Sequence, residues 1–314
     1  MKRQAAKRKP LPKIAVVLGP TATGKSDLAV ELALAFGGEV VSADSRQVYR
    51  GLDIGAGKVT KTEMKGVPHH LLDVADPRDR RSARYTVDDF RRDGQAAIAD
   101  ILSRGRLPIV CGGTGFYIDA LVYDERFPDV PPDQALRDRL AKRTTESLMR
   151  EIERLDPRRA RDLDHRNKVR IIRAIEIART LGSVPPATRN KRYDALWIGL
   201  TAQPDDLRKR IHDRLLRRMD AGMVREVASL HRKGVSWKRL HAFGLEYRHI
   251  ALYLQKKPRK KTDKTNMLEA LEHDIVDFSK RQMRWFKRNP AIRWFEAGKR
   301  SAAIPLVRRF LKGR

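Results

Sequence analysis

The chain has 314 residues, 41% of them hydrophobic, enough to bury a sizeable core and to exclude wholesale disorder. A single cysteine, Cys111, excludes an internal disulfide and a cysteine-built zinc site, and no apolar run reaches the roughly 18 residues that span a bilayer. Lys and Arg total 68 against 39 acidic residues, a formal net charge of +29, which points to a polyanionic partner, nucleic acid first; a basic enzyme for small anionic metabolites is the alternative.

The opening "MKRQAAKRKP" is basic and lacks the apolar core and cleavage site of a secretory signal, so residues 1–12 read as a tail on a cytoplasmic protein. "KIAVVL" follows as a buried strand, and Ser26 to Phe36 as an apolar helix stopped by Gly37 and Gly38. "EVVSAD" reads as a second strand closing on Asp44. "TVDDFRRDGQAAIADILSRG" reads as a helix with Thr86 at its N-cap and Gly105 just past its end, and "LPIVCGGTG" as a third strand running into a Gly-rich turn. Strand–helix–strand units of this kind require right-handed crossovers, so the expected fold class is α/β, a three-layer core with a parallel sheet.

From about Asp119 the texture changes. "FPDVPPDQ" is a Pro-rich junction, and charged helical patterns follow from Asp133 to Arg154 and through "NKVRIIRAIEIARTLG". A fourth strand, "ALWIGL", and a helical stretch, "DDLRKRIHDRLLRRMDAGMVREVASLHRKG", come after it. The simplest account is a core at 13–118 and 194–314, interrupted by an all-helical insertion at 119–193 and ending in helices. "QKKPRKKTDKT" reads as a solvated basic loop.

The stretch Gly19-Pro20-Thr21-Ala22-Thr23-Gly24-Lys25-Ser26 matches G-x-x-x-x-G-K-[ST] between a strand and a helix, the context this phosphate loop requires. Glycines let backbone N–H groups converge on phosphate oxygens, the helix turns its positive end toward the anion, and Lys25 neutralises charge. The Ser26 hydroxyl is suited to Mg²⁺. The motif alone leaves the chemistry open between a small-molecule kinase and a nucleotide-driven motor. Asp44 is expected at the edge of the neighbouring strand, facing the loop as a base or metal partner; a solvated turn aspartate is the plain alternative. Lys280, Arg281, Arg284 and Arg288 in "KRQMRWFKR" recur at near-helical spacing, a stripe suited to backbone phosphates, whose Trp285 and Phe286 either stack on bases or pack inward.

The runs "SADSRQVYRGLDIGAGK", "GVPHHLLDVADP", "YTVDDFRRD", "LPIVCGGTGFYIDAL", "NKVRIIRAIEI" and "KRQMRWFKR" resemble, in order and over about 14–290, the tRNA dimethylallyltransferase family. The resemblance implies an enzyme that moves a dimethylallyl group from dimethylallyl diphosphate to N6 of adenosine 37, just 3′ of the anticodon, in tRNAs reading codons that begin with U. It implies Mg²⁺ as cofactor, diphosphate as leaving group, and the compact bacterial form acting as a monomer on an anticodon stem-loop, with no membrane. Asp44 matches the family's catalytic aspartate, Thr21 a threonine that positions the reactants, and Arg214 the arginine on the diphosphate, with Arg210 one turn before it. Ser45, Arg46, Gln47 and Thr114 match contacts to RNA near the target base. Val169, Arg170, Ile171, Ile172 and Arg173 match a stretch that grips the anticodon region, the two isoleucines reading as core. Lys280, Arg281, Gln282, Arg284, Trp285 and Arg288 match a further RNA-binding stretch. Two departures stand out: "GAGKVT" keeps Lys58 but loses a proline, and "GLEYR" leaves the register of Arg248 open. An adenylate prenyltransferase, a phosphate-loop kinase and an RNA-binding module with a vestigial loop are the rival readings.

Overall fold

In the computed structural model the described residues are 10–78, 85–186, 188–258 and 260–313; most of the basic tail, residues 1–9, lies outside them. The chain divides into two compact units, residues 1–124 with 191–314, and residues 125–190.

The first unit runs β1 (Lys13–Leu18), α1 (Lys25–Phe36), β2 (Gly38–Ser42), α2 (Lys61–Met64), β3 (His69–His70), α3 (Val87–Ser103), β4 (Leu107–Gly112) and α4 (Gly115–Val122). The second unit holds α5 (Gln134–Ala141), α6 (Thr145–Leu155), α7 (Pro157–Arg161) and α8 (Lys168–Leu181). The first unit resumes with β5 (Asp194–Thr201), α9 (Pro204–Asp220), α10 (Met223–Arg232), α11 (Trp237–Phe243), α12 (Leu245–Gln255), α13 (Lys261–Phe286), β6 (Arg293–Glu296), a 3-10 segment (Ala297–Ala302) and α14 (Ala303–Lys312). Its six strands pair in parallel in the order β3-β2-β4-β1-β5-β6.

Period-two alternation on β1 feeds both faces of the sheet. Ile14, Val16 and Leu18 pack with Phe90, Ile98 and Ile101 of α3 and Leu121 of α4. Ala15 and Val17 pack with Leu28 and Leu32 of α1 and Val307 of α14. The C-terminal helices form a separate core around Leu215, Val227, Leu240, Tyr247 and Leu271, which also takes in Val48 and Leu52 from the loop after β2. Among the described residues no helix is long and apolar enough to cross a membrane.

Several sequence boundaries hold for the expected reason. Thr86 caps α3 in a reciprocal box with Asp89, and Gly105 takes a left-handed φ of 67° just beyond the helix. Others move. The pattern over Asp133 to Arg154 is two helices, because the Thr144 hydroxyl accepts the Ser147 N–H and starts α6 afresh. The stretch after "ALWIGL" is likewise broken at Gly222, whose φ of 102° ends α9 and opens α10. The basic segment expected as loop is half helix: α13 starts at Lys261 and runs 26 residues into the "KRQMRW" stripe. Strand β2 stops at Ser42, so Asp44 lies in the loop beyond it. Strands β3 and β6 had no sequence signal; both are short and at the sheet's edges, where partial exposure blurs the pattern.

In the second unit Leu140, Leu148, Ile152, Ile171 and Ile175 form the core. Glu176, 1% exposed, is its polar centre. Its carboxylate accepts the Asp133 N–H at 2.6 Å and the Arg137 Nη2–H at 2.7 Å, and also pairs with Arg173. Removing it strands two half-buried arginines and a backbone donor. Glu176→Ala is therefore expected to cost about 2–3 kcal/mol, below the full value for a wholly buried pair because the arginines are part-exposed. Urea unfolding measures the cost, and hydrogen exchange should localise it to residues 125–190 while β1 and β4 stay protected.

Candidate active site

Strand β1 delivers the chain to Gly19 at the C-terminal edge of the sheet, beside β5. A Cβ at Gly19 would overlap the Leu200 carbonyl, and its φ of 142° is one that side chains avoid, so the loop closes only with glycine there. Ala22 (φ 63°) and Gly24 (φ 81°) are left-handed, which curls the backbone into an anion cradle ahead of α1. The fold of the loop is held from within: the Thr23 hydroxyl donates to the Pro20 carbonyl at 2.9 Å, and Lys25 Nζ donates to the same oxygen at 2.6 Å. The Thr21 N–H is held from outside, donating to Gln282 Oε1 at 2.9 Å.

The loop forms one wall of a cleft of about 80 Å³ that Asp44, Arg46, Gln47, Arg214, Arg218 and Glu246 help line. Asp44 Oδ1 accepts the N–H groups of Arg46 at 2.9 Å and Gln47 at 3.4 Å, an Asx turn that fixes the carboxylate just past β2. Its other oxygen has no hydrogen-bond partner among the described residues. Arg214, on α9, donates to the Thr21 hydroxyl at 3.3 Å. Arg218, one turn further, sits 3.3 Å from one oxygen of Glu246, and Arg46 sits 2.7 Å from the other. A third wall is the loop at 53–57. The Glu226 carboxylate accepts the N–H groups of Asp53, Ile54 and Gly55 at 2.6–3.1 Å, and the Tyr247 hydroxyl donates to Glu226 while accepting the Ala56 N–H. Gly57 in that loop is where Arg214 and Arg218 press in, since a Cβ there would overlap both guanidinium groups.

Lys25, Arg46, Arg214 and Arg218 face two carboxylates, Asp44 and Glu246, so the cleft carries a positive excess. Burial, and then the neighbouring Arg218, push Arg214 down to about 10. Burial also lowers Lys25 to about 8, with Arg214 adding to it against the pull of Asp44. The Cys111 thiol, buried at the end of β4, is pushed up to about 12 by the same desolvation, so it stands protonated beneath the site. Cations held this far below their ordinary range are relieved by an anionic occupant. Among the described residues no cluster of three His, Cys, Asp or Glu is placed to hold a metal. The oxygen donors beside the loop, Ser26 and Asp44, suit a hard cation that takes the rest of its shell from phosphate and water.

Other expected residues are dispersed or carry different loads. The Thr114 hydroxyl accepts the Ser45 N–H at 3.1 Å, joining the Gly-rich turn to the Asp44 loop. The Gln47 amide donates to the Gly57 carbonyl at 3.1 Å and accepts from Ser42, so it braces the 53–57 loop. Lys280, Arg281 and Arg284 are exposed on α13 and Arg288 just past its end, whereas Gln282 and Phe286 are buried. Trp285 is half-buried; its N–H donates to Asp119 at 3.0 Å, and Arg288 lies 3.9 Å over its ring. In the second unit Val169 and Arg170 are exposed at the start of α8, Ile171 and Ile172 are core, and Arg173 is held by Glu176 and the Val130 carbonyl. Arg210 is exposed and does not line the cleft; Arg218, at i+4 from Arg214 rather than i−4, does. In "GLEYR", Arg248 is exposed and Glu246 is the residue that enters the cleft. Lys58 is a loop anchor, bonded to Asp53, Asp73 and the Tyr49 carbonyl. Sequence reading missed Arg218, Glu226 and Glu246; the four-residue step from Arg214 to Arg218 was the one available signal.

The family model described as IPP transferase matches residues 47–289, and one described as isopentenyl transferase matches residues 12–77. A tRNA dimethylallyltransferase of Thermomicrobium roseum is 40% identical over 300 residues, covering 92% of this chain and 87% of that protein. The crystal structure of the tRNA isopentenylpyrophosphate transferase of Bacillus halodurans superposes with a TM-score of 0.69 at 31% identity, covering 96% of both chains. A eukaryotic dimethylallyltransferase acting on tRNA shares the fold with a TM-score of 0.81 at 23% identity, over 96% of this chain and 80% of that one.

Glu226 supports the cleft without lining it. Glu226→Ala leaves three backbone donors unmatched and loosens the loop against which Arg214 and Arg218 pack. It is expected to weaken inorganic pyrophosphate binding about tenfold, about 1.4 kcal/mol, by titration calorimetry, with Glu226→Gln intermediate. Unchanged affinity in the alanine variant would show that the cleft does not depend on this loop.

Proposed function

The chain belongs to the IPP transferase family, that of the tRNA dimethylallyltransferases, and we propose from this that it transfers a dimethylallyl group from dimethylallyl diphosphate to N6 of adenosine 37 in tRNAs reading codons that begin with U. The observation that carries the reading is the convergence of a phosphate loop, a fixed carboxylate and an arginine pair on one small cleft. A diphosphate seated in the loop meets the α1 N-terminus, Lys25 and Arg214. As N6 attacks the allylic carbon, the new N–C bond forms while the C–O bond to diphosphate breaks and its electron pair leaves with the diphosphate. Lys25 and Arg214 stabilise that developing charge, and Thr21, bonded to Arg214, positions it. The proton released from N6 passes to the oxygen of Asp44 that the Asx turn leaves unused. Mg²⁺, held by Ser26 when bound, adds charge neutralisation at the diphosphate.

The purine must be unstacked to enter, as for other enzymes acting on bases. Ser45, Arg46 and Thr114 stand beside Asp44 to receive it, and Arg46 is pre-set by Glu246. The exposed stripe Lys280, Arg281, Arg284 and Arg288 supplies a track for backbone phosphates, and Arg170 a further contact from the second unit. A monomer acting in the cytoplasm on an anticodon stem-loop accounts for the +29 charge better than an enzyme for free adenylate. Labelled dimethylallyl diphosphate offered with AMP or with an anticodon stem-loop separates the two: label is expected on the RNA alone.

Asp44→Ala is expected to lower the single-turnover rate by about 10²-fold or more while the RNA dissociation constant stays within about twofold, the signature of a lost general base. A normal rate would remove Asp44 from the chemistry. Neutralising Arg281 and Arg284 together is expected to weaken RNA binding and to lower the slope of log affinity against log salt by about 1.5, near the value for two single-strand phosphate contacts. A filter-binding series from low to moderate salt reads the slope directly, and an unaltered slope would place the RNA on another face.

A further inference from the structure

Helix α13 carries most of the exposed stripe and also reaches the phosphate loop, through the Gln282 side chain. Gln282 is 7% exposed, and both ends of its amide are in use: Oε1 accepts the Thr21 N–H at 2.9 Å, and Nε2 donates to the Gly113 carbonyl at 2.9 Å. One amide thus ties the phosphate loop to the Gly-rich turn after β4. That turn is shaped for the approach of α13. A Cβ at Gly113 would overlap Gln282 Nε2, and a Cβ at Gly115 would overlap the Trp285 ring. The same turn secures the Asp44 loop through the Thr114 hydroxyl and through the Thr114 N–H, which donates to the Ala43 carbonyl at 3.2 Å. A second link runs alongside. Phe278, one turn before Gln282, lines the cleft, and its ring takes Arg46 at 5.7 Å and the stripe residue Arg281 at 5.9 Å.

We propose that Gln282 is a positioning residue through which RNA seated on α13 tightens the grip of the phosphate loop on a diphosphate. The proposal rests on the reading of α13 as the RNA-facing helix. Thr21 is the point of transmission: its N–H is fixed by Gln282 and its hydroxyl receives Arg214. Hydrogen bonds weaken steeply with misalignment, so a small shift of α13 alters the placement of Thr21 and of the arginine that faces the leaving group. Any such coupling is reciprocal, and diphosphate must tighten RNA by the same factor.

The test uses the whole chain, with inorganic pyrophosphate and Mg²⁺ as the probe, titrated with and without a saturating anticodon stem-loop. In the native protein the RNA is expected to tighten pyrophosphate about tenfold, within the usual range of coupling. Gln282→Met fills the same space without the two hydrogen bonds and is expected to bring the factor close to one, with RNA affinity in the absence of pyrophosphate unchanged. Gly113→Ala displaces the amide by a different route and should do the same. A Gln282→Met protein that keeps the native factor overturns the proposal, as does a native protein whose pyrophosphate affinity ignores RNA. Equal losses of RNA affinity and melting temperature with the factor intact show a purely structural residue, which also overturns it. Failure of the parent reading is separately visible: native protein that shows the coupling but leaves the RNA unprenylated lacks the proposed activity and keeps the linkage.

Discussion

Loss of water around Lys25, Arg214 and Arg218, which are gathered with Arg46 at one small cleft, is the constraint that the surrounding structure answers, and repulsion between the two α9 arginines adds to it. Glu246 offsets part of it by taking Arg46 on one oxygen and Arg218 on the other, and Asp44 offsets a little more, but two carboxylates face four cations. The uncompensated part is what an anion in the phosphate loop supplies. Keeping those side chains in place falls to hydrogen bonds made within the protein: Glu226 and Tyr247 behind the 53–57 loop, Gln47 across it, and Gln282 behind Thr21. Most of the polar residues near the site therefore serve geometry, and few are left to do chemistry.

The sequence was most informative where a backbone rule leaves little choice. Gly19 and Gly24 occupy dihedrals other residues resist, Thr86 satisfies its own helix end, and unbroken apolar strands such as β1 and β4 follow from burial on both faces. Asp44 was legible because it lies a fixed step beyond a strand that the phosphate-loop helix leads into. Long-range partners were not legible. Glu246 reads as one more charged residue on an amphipathic helix, and only the fold brings it to an arginine 200 positions earlier. Gln282 was grouped with its basic neighbours, since sequence adjacency cannot tell the inward face of α13 from the outward one when both are polar. Edge strands β3 and β6 escaped for the opposite reason, being too short and too exposed for periodicity to register.

The positive charge is also less uniform than composition suggests. Many arginines are engaged by carboxylates within their own element or a neighbouring one, such as Arg104 with Glu39 and Arg300 with Glu31 and Asp27. Glu39 is the second residue of β2 and is 1% exposed, so that cluster secures a sheet corner. Two groupings stand out from the rest: four cations facing two carboxylates inside the cleft, and Arg281 and Arg284 exposed on α13.

Finally, β1 sits at the middle of the sheet between β4 and β5, with Lys13 in register against Asp194. This strand is made before both neighbours, and the second of them comes only after residues 125–190 have been synthesised. Joining ends so distant is entropically slow, and until it happens a run of apolar, β-branched side chains stands uncovered on a growing polypeptide. The centre of the sheet is thus closed late, by a segment made long after it, and aggregation during synthesis is the hazard that this chain order creates.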